Sequence, residues 1–208
     1  IIFIYSSSDK AYGELNKRRE YRETDSLDAT YPYDSSKSSS DLICQSYSKT
    51  YSMNVGIIRC GNIYGPGDFN LKRLIPEVII STIKNKNFSI RSNGKSRRDY
   101  VYVDDVVNAY IKLFKKLKTT KEKLKIYNVS SKFNYSVLQV VNIILKKMNK
   151  ASIKPKIRNN SKQEINFQRL NFNKIKRELK WLPKVDINEG LKNTIDWYIK
   201  NYKNLIKK

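Results

Sequence analysis

Tyr33 and Lys37 are the side chains of this 208-residue sequence whose types and spacing speak most directly of chemistry. They stand four positions apart in Tyr33-Asp34-Ser35-Ser36-Lys37, at the start of a stretch patterned as a helix, where one turn brings i and i+4 to the same face. A free tyrosine has a pKa of about 10 and is a poor base at neutral pH. A fixed cation nearby stabilises the phenolate, and the phenol can then exchange a proton with a substrate hydroxyl. An isolated Tyr-x-x-x-Lys pair is also what a solvated helix face offers by chance in a chain with 15 tyrosines and 42 basic residues. The weight therefore rests on the neighbouring blocks.

Two such blocks stand beyond apolar strands. Residues 1–5 form an all-apolar run, as in a parallel strand buried on both faces, followed by Ser6-Ser7-Ser8-Asp9-Lys10-Ala11-Tyr12-Gly13. Residues 55–59 read as a second buried strand, followed by Cys60-Gly61-Asn62-Ile63-Tyr64-Gly65-Pro66-Gly67. In α/β sheets, ligand-contacting residues lie just beyond the carboxyl ends of strands, where both blocks fall. Each block alone is also an ordinary turn.

The elements that position these blocks follow from periodicity. Residues 14–32 are charged and irregular, and a helix is expected over 34–51 with Ile43, Tyr47 and Tyr51 as an apolar stripe. A helix over 71–84 despite Pro76, a strand at 88–91, and a turn at Asn93-Gly94 come next. Residues 96–105 alternate as a strand and enter a helix with an acidic start. A strand at 125–129, a helix over 136–148, a loop at 161–168 and a short helix over 171–180 follow. Asp186-x-x-Glu189 makes a capping box for a last helix over 189–205, with Leu191, Ile195, Trp197 and Tyr198 inward; Trp181 and Trp197 belong to the core.

Composition narrows the function classes. With 39% hydrophobic and 12% aromatic residues the chain is globular rather than disordered. Apolar runs are too short for a membrane span, and the first residues lack the order of a signal peptide, so a cytoplasmic protein is expected. Cys44 and Cys60 make no disulfide framework, and without histidine neither a zinc site nor a Ser/His/Asp triad is expected. The net charge is +23, distributed unevenly: residues 1–104 hold 16 basic and 12 acidic side chains, leaving 26 and 7 for the rest, or +4 against +19. These lysines are spread singly along periodic helices without an RNA-binding aromatic signature, so no nucleic-acid partner is expected.

Together the three blocks, Ser8-Asp9-Lys10-Ala11-Tyr12-Gly13, Tyr31-Pro32-Tyr33-Asp34-x-Ser36-Lys37 and Arg59-Cys60-Gly61-Asn62, resemble the extended short-chain dehydrogenase/reductase family of nucleotide-sugar enzymes, and within it the CDP-glucose 4,6-dehydratase type. The resemblance runs over essentially the whole chain. It implies an α/β fold: the C-terminal half of a Rossmann-type parallel sheet with a small substrate-binding lobe. Residues 1–62 would be a partial NAD-binding domain, and 63–208 mainly the lobe, with one strand–helix return at about 99–123. No Gly-rich phosphate turn occurs anywhere, so the N-terminal half of the cofactor domain is expected to be lacking.

For the site, the resemblance implies Ser8, Asp9, Lys10, Tyr33 and Lys37 as catalytic residues. Ser7, Tyr33, Lys37, Cys60 and Asn62 would contact NAD, and Asn62, Arg73 and Arg98 a CDP-hexose. A guanidinium suits the diphosphate because it donates two parallel hydrogen bonds; Arg98 could equally form an ion pair with Asp99 or Asp104. Lys10 stands where related dTDP-glucose enzymes carry glutamate, and reads either as the base at C5 or as an electrostatic stabiliser. A homodimer through the Tyr33 helix is implied, with Cys44, Ser48 and Tyr51 on its outward face. A 4-epimerase or reductase of the same family, or a non-catalytic remnant or basic binding module, remain the alternatives.

Overall fold

A computed structural model describes residues 1–14, 19–160 and 165–205. The expected irregular stretch at 14–32 and the loop at 161–168 fall partly outside the described residues.

The framework is a parallel sheet of three strands, β1 (Ile2–Ser8), β2 (Asn54–Cys60) and β6 (Leu124–Val129), in the order β1-β2-β6. Its register places Ser8 beside Cys60 and Cys60 beside Val129, so three strands end together at one edge. Central β2 is buried along almost its whole length, as a run of β-branched residues between two helical layers should be. Alternation along it sends successive side chains to opposite faces. Ile58 and Cys60 pack with Leu113 of helix α3 (Val103–Thr119), and at Gly56 a Cβ would lie 2.7 Å from Leu113, so glycine admits the helix. Arg59 turns to the other face, toward helix α1 (Pro32–Tyr51).

The rest of the chain builds a lobe at that edge. Strands β3 (Asn62–Tyr64), β5 (Arg97–Tyr102) and β7 (Asn134–Ser136) form a second sheet, with β3 and β5 parallel and β5 and β7 antiparallel. Two short strands, β4 (Ser89–Ile90) and β8 (Lys156–Ile157), pair beside it. Helices α2 (Leu74–Ile83), α4 (Val137–Lys147) and α6 (Ile187–Leu205) close over a core that includes Ile79, Val140, Ile144, Leu191 and Tyr198. Pro76 fits because it lies in the first turn of α2, where its missing N–H has no helical partner to lose. Ser136 and Gln139 form a reciprocal capping box at α4, which the sequence reading passed over. The short helix α5 (Asn173–Leu179) precedes Trp181, which is fully buried and donates Nε1–H to the Asp105 carbonyl at 2.9 Å.

Two expectations are corrected. The return to the main sheet was expected at about 99–123, with 124 onward in the lobe; instead β5 joins the second sheet, and it is α3 followed by β6 that returns. β6 takes the free edge of β2 and buries Tyr127 and Val129 completely. Helix α1 is also rotated relative to a hydrophobic-inward reading. Its buried face is Asp34, Ser38, Asp41 and Ser48, while Leu42, Ile43, Tyr47 and Tyr51 are exposed. Ser48, expected outward, is buried and donates to the Met53 carbonyl at 2.9 Å. The cause is Arg59, which demands a carboxylate from whatever helix covers it.

Candidate active site

A cleft of about 760 Å³ opens where the strand ends meet the lobe. One wall is the sheet edge: Ser6, Ser7, Ser8 and Lys10 after β1, Tyr33 and Lys37 on α1, and Cys60, Gly61 and Asn62 at the junction of β2 and β3. The facing wall is the lobe: Arg73 to Glu77 at the start of α2, Ser89 to Ser92 around β4, and Arg98 and Tyr100 on β5. Nine of the ten expected site residues line it: Ser7, Ser8, Lys10, Tyr33, Lys37, Cys60, Asn62, Arg73 and Arg98. Asp9 does not. It opens a single turn of 3-10 helix, Asp9–Tyr12, whose cap is Ser8, and the turn carries its carboxyl behind Ser8, where it is 2% exposed.

Helix α1 begins at the sheet edge, so Tyr33 in its first turn stands over the cleft, more than half exposed. One turn on, Lys37 Nζ donates to the Ser6 carbonyl at 3.0 Å and lies 5.4 Å from the centre of the Tyr5 ring. The ammonium thereby ties the helix start to the end of β1. Ser8 Oγ donates to Asp9 Oδ1 at 3.0 Å and accepts the Lys10 amide at 3.2 Å. Among the described residues the second Asp9 oxygen has no hydrogen-bond partner, and neither has the buried Ser7 hydroxyl. Burial pushes the Asp9 carboxyl above the usual range, against the pull of Lys10, the Ser8 hydrogen bond and Arg98. Asp9 is thus biased toward its acid form. Burial likewise pushes the Cys60 thiol well up, so this cysteine is a neutral wall residue and no nucleophile.

Arg98 is 6% exposed and donates to the Arg97 carbonyl at 2.9 Å. Its neighbour Asp99 is fully buried and accepts from Ser130 Oγ at 2.6 Å and the Leu170 amide at 2.7 Å, pinning β5 to two loops. Burial pushes its carboxyl up to about 7, with a contribution from Asp9. Arg73 reaches Asp68 at 3.2 Å and is otherwise exposed to the cleft mouth.

Beneath the site lies an interaction that the sequence reading missed. Arg59 donates Nε–H to Asp41 Oδ2 at 2.9 Å and an Nη2 hydrogen to Oδ1 at 2.8 Å, a two-pronged pair with both side chains buried. It also donates to Tyr12 Oη at 2.9 Å, and Tyr12 donates to Asn128 Oδ1 at 2.8 Å. Burial opposes the Arg59 charge, but the Asp41 hydrogen bonds overcome it and raise its pKa. The signal was present: an arginine inside the apolar run Val55–Cys60 must find a buried carboxylate.

Parallel strands ending at a cleft, with a tyrosine and a lysine one helical turn apart at their tips, define a Rossmann-like α/β protein. The description of the NAD dependent epimerase/dehydratase family matches residues 2–130, and the chain belongs to that family. It is 33% identical over 208 residues to a bovine dTDP-D-glucose 4,6-dehydratase, spanning 97% of this chain and 57% of that protein. Among solved structures, dTDP-glucose 4,6-dehydratase of Bacillus anthracis in complex with NAD superposes with a TM-score of 0.86 at 29% identity, covering 98% of this chain and 64% of the other. UDP-glucose 4-epimerase of Thermotoga maritima, solved with UDP-glucose, superposes at 0.87 and 27% identity, covering 96% and 64%. The chain therefore spans little more than half the length of the relatives it matches.

Two predictions follow from this geometry. Replacing Arg59 by methionine leaves the Asp41 carboxylate buried without its partner, and should cost about 3–5 kcal/mol of stability in urea unfolding, whereas Arg59→Met with Asp41→Leu should recover much of that loss. Asp99 binds its proton more tightly folded than unfolded, so between about pH 4 and 7 the folded state holds more protons and stability must fall as pH rises. Urea midpoints measured at pH 5 and pH 8 should show that fall in the parent and a smaller one in Asp99→Asn.

Proposed function

We propose that this chain carries the catalytic and substrate-binding residues of an NAD-dependent nucleotide-sugar 4,6-dehydratase, converting CDP-glucose to CDP-4-keto-6-deoxyglucose. The observation that carries the reading is the convergence of Ser8, Tyr33 and Lys37 at one end of a cleft whose other wall presents Arg73 and Arg98, with the buried acid Asp9 hydrogen-bonded behind Ser8. The unpartnered Ser7 hydroxyl, the Lys37 ammonium and Asn62 suit the amide and ribose hydroxyls of a nicotinamide nucleotide. NAD, when bound, supplies the acceptor for the hydride from C4 and its return to C6.

The chain's own residues move the protons. Tyr33 takes the proton of the sugar 4-hydroxyl, with the Ser8 hydroxyl hydrogen-bonded to the same oxygen and the Lys37 ammonium one helical turn on. A carbonyl at C4 makes the hydrogen on C5 acidic, and Lys10 serves there as the base or as the cation that stabilises the enolate. The departing 6-hydroxyl needs a proton as its bond breaks. Asp9, whose carboxyl burial pushes above the usual range and which accepts from Ser8 Oγ at 3.0 Å, is the acid proposed for this step. Water is lost, the hydride that left C4 ends on C6 and a proton returns to C5, so the sum is a dehydration without net oxidation. Arg98 and Arg73 grip the diphosphate. The reading is supported by the likeness to dTDP-glucose 4,6-dehydratases, and lysine at position 10 points to the CDP type.

A second reading, a nucleotide-sugar 4-epimerase, is favoured by one observation: Asp9 is outside the cleft lining, and an epimerase needs no acid at C6. A homodimer goes with either, since Leu42, Ile43, Tyr47 and Tyr51 leave an apolar face of α1 uncovered. No helix among the described residues is long and apolar enough to cross a membrane, in keeping with a proposed cytoplasmic location.

Incubated with NAD and CDP-glucose, the protein should yield a product lighter by one water in mass spectrometry, and Tyr33→Phe should abolish it. Asp9→Asn should slow water loss by about 10²–10⁴-fold, the worth of general acid catalysis, while leaving reduction of NAD at C4. An unchanged rate of water loss in Asp9→Asn would make Asp9 structural, whereas inversion at C4 by the parent without any loss of water would favour the epimerase. For the dimer, sedimentation velocity should show twice the chain mass for the parent, and the mass of one chain for Ile43→Lys combined with Tyr47→Lys.

A further inference from the structure

The charge on the cleft wall contains an exception that diphosphate binding does not use. Six cationic side chains, Lys10, Lys37, Lys72, Arg73, Arg91 and Arg98, face two carboxylates, Asp68 and Glu77. Such an excess attracts an anion, and a carboxylate in the same wall works against it. Asp68 is accounted for: it accepts from Arg73 at 3.2 Å and from the Asn70 amide at 3.0 Å. Glu77 makes no ion pair among the described residues. Its place in the first turn of α2 gives it a structural use, offsetting the positive end of a helix that has no side-chain cap. That use does not require it to line the cleft, which it does.

Its location decides what it meets. Ser8, Tyr33 and Lys37 mark the reacting end at the sheet edge, and Arg98 stands on β5, whose Tyr100 pairs with Asn62 beside that edge. Glu77 lies on the lobe wall together with Arg91, which follows β4. With a hexose at the reacting end and the diphosphate at the arginines, the nucleoside falls to this wall. A carboxylate accepts hydrogen bonds only, and a guanidinium only donates. Cytosine offers an amino donor next to two acceptors, N3 and O2, and matches the pair Glu77 and Arg91. Uracil and thymine present the O4 acceptor where cytosine has the amino group, and a carboxylate there repels them.

We infer that Glu77 is a specificity-determining residue of this cleft, its carboxylate accepting from the exocyclic amino group of the nucleobase and so selecting an amino-bearing base, cytosine, over uracil and thymine. The inference rests on the CDP-sugar reading above. Guanine also carries an amino group beside an N–H, and the test separates it.

Isothermal titration of the purified protein with CDP, UDP, dTDP and GDP provides the test. CDP should bind about tenfold or more tightly than UDP and dTDP, and more tightly than GDP. Glu77→Gln, whose amide can donate to O4, should bring the CDP to UDP ratio close to one, and Glu77→Asp should keep CDP ahead. Thermal melting of each variant checks that α2 is intact. Loss of affinity for all four nucleotides alike in a folded Glu77→Gln would assign Glu77 to ribose and overturn the inference. So would an unchanged ratio, or a parent preference for UDP, dTDP or GDP. If CDP binds first but the ratio survives Glu77→Gln, only the role of Glu77 falls; if no nucleotide binds, the sugar-nucleotide reading falls with it.

Discussion

The structure depends on the buried pair between Arg59 of β2 and Asp41 of α1. A guanidinium near the end of a buried strand is costly unless a carboxylate meets it with good geometry, and here both Asp41 oxygens are engaged. That requirement turns the polar face of α1 inward and fixes its rotation about its own axis. Tyr33 lies about two turns and Lys37 about one turn before Asp41 on the same helix, so the rotation that satisfies Arg59 also presents them to the cleft. The apolar residues Leu42, Ile43, Tyr47 and Tyr51 are left outside as the other consequence. One ion pair thus links the orientation of the reactive phenol to the face available for another copy of the chain.

The network reaches further through Tyr12. Its hydroxyl joins Arg59 to Asn128, so it bridges the turn after β1 and the ends of β2 and β6. The Ser8–Asp9–Lys10 turn is therefore anchored from behind by buried hydrogen bonds, while its front faces the cleft. Asp9 has an unusual position between these layers. Burial pushes its pKa above the usual carboxylate range, yet the carboxyl reaches the cleft only by way of Ser8, whose hydroxyl donates to it.

Much of this was legible in the sequence because it is local. Short β-branched runs gave β1, β2 and β6, and the positions just beyond them supplied the cleft residues, as strand ends in a parallel sheet must. Nine of the expected site residues meet in the cleft although they come from five separate stretches. What escaped depends on pairing between distant segments. The destination of β5 was not readable because a strand of six residues fits either sheet, and the choice went to β6 with its fully buried Tyr127 and Val129. The rotation of α1 was only partly legible for the same reason: Tyr51 is outward as expected but Ser48 is buried, because the partner at position 59, 18 residues beyond Asp41, turns the polar face of the helix inward. The depth of Asp9 follows from a 3-10 turn capped by Ser8, which pattern alone does not distinguish from an open loop.

The high net charge takes on a different meaning once the cleft is placed. All six cations of its wall come from the first 104 residues, the part of the sequence with a surplus of only four positive charges, and a single lining residue, Val137, comes from beyond. The surplus of 19 in the remainder is therefore not what makes the cleft attractive to an anion. Much of it sits on helix faces turned to water: Lys115 and Lys118 on α3 and Lys146 and Lys147 on α4 are exposed. Charges spread in this way are screened over roughly 10 Å at ordinary salt and act weakly at the site. Anion binding in the cleft should accordingly depend on its own six cations and be little affected by the basic exterior, which is the separation expected of an enzyme for an anionic small molecule rather than of a nucleic-acid binder.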